Sequence, residues 1–173
     1  MVKLHFLIRI LSFSVLVFSM IACNSDVRKE ANDCPKGAPM AVYNSDYDFV
    51  ISHDFQLDGQ NSTEKIIFKD SLQLTIRQSG CENIYQSYIF TFKGDYQALA
   101  DTSWLDMAGQ AFYKLGSFEE KFYVYNLWAN KIQEHKAEFK LTEAFQAEPR
   151  IYIKIDRILS ETEADLIIDL YEE

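Results

Sequence analysis

The amino-acid sequence predicts an α+β domain, an antiparallel sheet of about six strands with a two-helix insertion packed on one face. Three observations lead there. Four segments before the middle of the chain, and two near its end, are rich in β-branched and aromatic residues and alternate apolar with polar side chains, the period of a half-buried strand. Between them, apolar residues recur at three- and four-residue steps, the period of a helix. The whole chain is 173 residues long and 48% hydrophobic, enough for one core and no more.

The strand segments run from Tyr47 to Leu57, Lys65 to Lys69, Leu72 to Gln78 and Ile84 to Lys93. In the third, Leu72, Leu74 and Ile76 face one way and Gln73, Thr75 and Arg77 the other, as in an antiparallel sheet wetted on one side. Asp58-Gly59-Gln60-Asn61-Ser62 is the turn between the first two, and Lys93-Gly94-Asp95 ends the fourth. Trp104, Ala108, Ala111, Phe112 and Leu115 then mark a helix from about Ser103 to Leu115, with Thr102 or Ser103 available as its cap and Gly116 as its stop. Ser117-Phe118-Glu119-Glu120 has the form of a capping box. Phe118, Phe122, Tyr125, Ala129 and Ile132 continue as the stripe of a second helix, ending between His135 and Phe145. The strand formers between Lys121 and Leu127 keep a strand reading of that stretch open. Arg150 to Leu159 and Ala164 to Tyr171 alternate again, joined by Ser160-Glu161-Thr162-Glu163 as a hairpin loop.

The first 22 residues differ in chemistry from the rest. Lys3, His5 and Arg9 make a positive start, and Ile10 to Ala22 is apolar apart from serines, the layout of a secretory signal. The run falls short of the roughly 20 apolar residues that span a bilayer. It ends at Met20-Ile21-Ala22-Cys23, which resembles the lipobox of bacterial lipoproteins: an aliphatic residue, a tolerant position, a small residue and a cysteine. The resemblance covers this segment alone. It implies cleavage between Ala22 and Cys23, diacylglycerol on the Cys23 thiol and acylation, with palmitate or a similar chain, of the freed amine. Two or three such chains anchor a soluble domain, at roughly 0.8 kcal/mol per buried methylene. Asn24, in place of the aspartate associated with inner-membrane retention, favours the outer membrane. The division that follows is 1–22 signal peptide, 23–40 tether rich in Pro and Gly, and 41–173 a single globular domain.

Export places the domain in an oxidising compartment, the periplasm or the cell surface. There the two cysteines left after lipidation, Cys34 and Cys81, are expected to pair and to stabilise the fold by roughly 3 to 4 kcal/mol. Activation of Cys81 by His53 or His135 is the sharper alternative, but no family-type sequence surrounds it.

The chain carries 17 basic and 26 acidic residues, a net charge of -9; without the first 22 residues the balance is 15 to 26, or -11. So acidic a surface repels nucleic acid and anionic headgroups, and admits a basic protein partner. No HExxH, CxxC, Gly-x-Ser-x-Gly or phosphate-binding glycine pattern occurs, so neither metal, cofactor nor catalytic residues are assigned. Asp46, Asp48, Asp54 and Asp58 crowd the first strand, but alternation puts them on the side away from His53. Most aromatics of the middle region belong to the core. Tyr123 and Leu127 fall off the buried stripe and are the expected partner-binding residues. The expectation for function is thus a lipid-anchored, protein-binding envelope domain. A small hydrolase built on His53 and its neighbouring aspartates, and a carrier of an apolar ligand in a cavity between sheet and helices, are the alternatives.

Overall fold

Gly59 closes the first hairpin. Its φ of +59° is the left-handed value required at the first central position of a type II′ turn and disfavoured by a Cβ. The turn is therefore Gly59-Gln60 alone, flanked by the pair Asp58 and Asn61. In the computed structural model, which describes residues 37–173, this hairpin joins β1 (Val50–Asp58) to β2 (Asn61–Phe68). The second strand thus begins four residues earlier than its composition suggests. Asn61 and Ser62 belong to the ladder, because a two-residue turn leaves them opposite Asp58 and Leu57.

β3 (Gln73–Ser79) and β4 (Tyr85–Lys93) extend the meander. The chain then leaves the sheet for α1 (Asp101–Gly116), a short 3-10 turn (Glu120–Phe122) and α2 (Val124–Glu134). It returns through β5 (Ala144–Glu148), β6 (Ile151–Leu159) and β7 (Glu163–Glu172). The sheet has seven antiparallel strands in the order β1-β2-β3-β4-β7-β6-β5, so the final meander docks its last strand on β4. The strand beyond the expected six is β5. Its five residues, Ala-Phe-Gln-Ala-Glu, contain one strand former, and pairing with β6 rather than local propensity makes them extended.

Alternation delivers one face of this sheet to the core. Ile66, Phe68, Leu74, Ile76, Phe90, Leu166, Ile168, Ile153 and Ile155 are at most 1% exposed, each contributing about 1.5 to 3 kcal/mol by leaving water. Trp104, Phe112 and Leu115 of α1 are equally buried, and the Phe112 ring stands edge-on to Tyr88 and Phe90 of β4. The opposite face mixes polar side chains with Ile89, Ile167 and the rings of Tyr85, Tyr152 and Tyr171, and across β4 and β7 Thr91 donates to Asp165 at 2.6 Å and Tyr85 to Asp169 at 2.9 Å.

The helix ends differ from their sequence signals. α1 starts after Ala100 with no side-chain cap, so neither Thr102 nor Ser103 fills that role. Ser117 closes α1 by donating its hydroxyl to the Lys114 carbonyl at 2.7 Å and makes no capping box with Glu120. The second helix therefore begins at Val124, after the 3-10 turn, and not at Ser117. Of the expected stripe, Phe122 of the 3-10 turn and Tyr125, Ala129 and Ile132 of α2 are buried, whereas Phe118 lies in the bend between the helices; the helical backbone of Val124–Glu134 rules out the strand alternative. In the last hairpin, Ser160 accepts the Glu163 amide at 2.9 Å.

Ala22, Cys23 and Cys34 lie outside the described residues. Cys81 is disulfide-bonded. Among the described residues, no helix is long and apolar enough to cross a membrane.

Candidate interaction surface

α2 reaches its place because α1 lets it approach closely. A Cβ on Gly109 would lie 2.1 Å from Gln133 Nε2, and one on Gly116 would lie 2.2 Å from Asn126 Oδ1. The two glycines are seven residues apart on α1 and meet side chains seven apart on the antiparallel α2, a close seam two turns long. With that seam and the buried stripe against the core, the remaining side of α2 is presented to solvent. Tyr123, Val124 and Leu127 stand there, 57%, 47% and 48% exposed. Positions three and four apart are neighbours on a helix, so these three side chains form one patch. The exposed Tyr113 of α1 donates to Asn130 Oδ1 at 2.5 Å, which extends the patch across the helix pair.

The rim is of mixed charge. Lys131 pairs with Glu148 at 2.9 Å and Lys121 with Glu119 at 3.1 Å. Lys121 also donates to the Tyr47 hydroxyl and sits 4.0 Å above that ring; these contacts raise its pKa, the Tyr47 hydrogen bond foremost. Glu120 and Glu134 form no ion pair among the described residues and leave the rim net negative.

His53 belongs to a different arrangement. Its Nε2 lies 2.9 Å from Glu64 Oε1, on the inner side of β1, while the Asp54 carboxylate accepts from Gln56 on the outer side. The aspartates flanking His53 are therefore not brought to it. Glu64 is 0% exposed and also accepts the backbone amides of Val42 at 2.8 Å and Tyr43 at 2.7 Å. This carboxylate, which composition assigns to no role, clasps the segment entering the domain against the sheet. It shares its side of β2 with Ile66 and Phe68, a pattern visible in sequence only once the strand is started at Asn61.

Three buried tyrosines surround the clasp. The Tyr88 hydroxyl donates to Gln86 Oε1 at 3.0 Å and lies 3.5 Å from that of Tyr125. The Tyr43 hydroxyl makes no hydrogen bond among the described residues. Burial raises the pKa of all three, that of Tyr125 to about 12, with the Glu64 carboxylate adding to the shift. Neutral phenols and a fully buried carboxylate brace the chain where it enters the domain.

Depressions on the surface of the described residues include two with apolar linings. One of about 430 Å³ lies between the sheet and α1, lined by Leu72, Phe92, Tyr96, Met107, Ala111 and Lys114. Lys114 pairs with Asp70 at its edge, and desolvation lowers the lysine pKa. The other, about 170 Å³, is lined by Ile84, Trp128, Ile151 and Leu170. No cluster of metal-ligating side chains occurs among the described residues. Comparison with protein families, characterised proteins and solved structures finds no match to this chain.

Proposed function

We propose that the chain is a lipoprotein of the bacterial cell envelope, cut before Cys23 and held to the membrane, preferentially the outer one, by acyl chains on that cysteine. Its folded domain binds another protein through the outer side of α2. The observation that carries this reading is the patch of Tyr123, Val124 and Leu127, half-exposed on the side of α2 that faces away from the core. Large apolar side chains left together in water mark binding surfaces, and tyrosine is favoured at their centres. From residue 37 on, the chain carries 12 basic and 23 acidic residues, which supports a partner of basic character.

The test is cross-linking and affinity capture of the full chain in envelope extracts, beside a Tyr123→Ala/Leu127→Ala variant. The expected result is one specific partner, lost in the variant at unchanged melting temperature. A partner retained by the variant overturns the surface. An unacylated or uncut N-terminus in mass spectrometry overturns the anchor.

The groove between the sheet and α1 supports a second reading, transport of a small apolar ligand. Mass spectrometry of extracts from the purified protein tests it: a bound apolar molecule displaced by Met107→Trp is expected, and its absence disposes of the idea.

A further inference from the structure

We propose that the free edge of β1 takes up an extended segment of another protein as an additional strand, one in which apolar residues alternate with Lys or Arg. Among the described residues, β1 ends the sheet and pairs with β2 alone. Its two-residue turn makes Asp58 and Asn61 a hydrogen-bonded pair, so Asp58, Gln56 and Asp54 turn their backbone groups toward β2. Leu57, Phe55 and His53 then turn theirs outward, a row of donors and acceptors at strand spacing.

Sheets usually blunt such an edge with proline, lysine, a short strand or a bulge. β1 has neither proline nor lysine in its nine residues, and its register shift is confined to the start, between Val50 and Ser52. The opposite edge differs: β5 has five residues, one of its register positions is shifted, and Lys131 of α2 pairs with its Glu148.

The side chains of β1 specify what the added strand must be. On the inner side stand half-buried Phe55 and Leu57, the latter 51% exposed. On the outer side stand exposed Asp54, Gln56 and Asp58. An incoming strand alternates between the same two sides, so its apolar residues meet Phe55 and Leu57 and its cations meet the two aspartates. A second copy of this chain is a poor occupant, because β1 has neither lysine nor arginine to meet Asp54 and Asp58. The edge and the α2 patch are separate elements, and this proposal does not rest on that surface.

The experiment uses the full chain in detergent and a peptide of alternating Lys and Val as long as β1. Three further peptides serve as probes: one with Glu for Lys, a block-sequence peptide of the same composition, and one N-methylated on the amides that face the edge. Only the alternating Lys-Val peptide is expected to bind, and to slow amide exchange at Phe55 and Leu57. Binding is expected to weaken several-fold with salt, and the Asp54→Lys/Asp58→Lys variant is expected to prefer the Glu-Val peptide. The Tyr123→Ala/Leu127→Ala variant is expected to bind the Lys-Val peptide as the unaltered chain does. Equal binding of the block or N-methylated peptide, no binding of any, or a dimer of the full chain that the peptide dissociates, overturns the proposal.

Discussion

Glu64 and His53 face each other across the first hairpin at 2.9 Å, and the same carboxylate holds the amides of Val42 and Tyr43, so one buried side chain joins three segments. Replacing Glu64 by Ala strands the buried amide of Tyr43 and the part-buried amide of Val42. An unsatisfied buried donor costs about 1 to 3 kcal/mol, so Glu64→Ala is expected to destabilise by about 2 to 5 kcal/mol in denaturant titration. His53→Ala leaves both amide bonds in place and is expected to cost less. Equal losses for the two variants count against the clasp.

Gly116 and Gly109 look alike in sequence and are expected to respond differently to alanine. At Gly109 the nearest atom is the end of the long Gln133 side chain, which can swing aside, and alanine favours the helix by up to about 1 kcal/mol. At Gly116 the whole Asn126 amide lies within 2.9 Å of the added methyl. Gly116→Ala is expected to cost about 1 to 3 kcal/mol and to be rescued by Asn126→Ala, whereas Gly109→Ala is near neutral. Thermal melts of the three variants decide; absence of rescue shifts the cause away from the seam.

Tyr123 and Tyr125 are two residues apart and differ in exposure from 57% to 4%. Tyr125→Ala opens a cavity among Phe112, Tyr88 and Phe122 and is expected to cost about 3 to 5 kcal/mol. Tyr123→Ala is expected to change stability by less than about 0.5 kcal/mol. A stability loss at Tyr123 comparable to that at Tyr125 means that α2 packs differently.

Alkali is expected to unfold the domain through its buried phenols. Burial raises the pKa of Tyr43, Tyr88 and Tyr125 above the ordinary 10.0, that of Tyr125 to about 12. The neutral form is therefore favoured when folded, and the unfolded chain releases these protons first. This stability is fully present below pH 10 and is lost as pH rises from 10 toward 12, by about 1.4 kcal/mol per pH unit for each ring. Circular dichroism and tyrosinate absorbance are expected to change together in that range, with Tyr125→Phe delaying the onset. Full tyrosinate formation with the dichroism intact contradicts it.

Much of the architecture is legible in the chain because side-chain period is a local property. The alternation of Leu74 and Ile76, and the three- and four-residue steps from Phe122 to Ile132, specify which side each element buries, and they also place Tyr123 and Leu127 in water. Tertiary structure alone decided what depends on residues distant in sequence. Ala144–Glu148 is a strand because β6 supplies its hydrogen bonds, Ser117 finishes one helix instead of starting the next, and Glu64 is buried because amides 21 and 22 residues away return to meet it. A polar residue reads as surface until its partners are known, since burial of a charge is stable only where the fold brings donors to it.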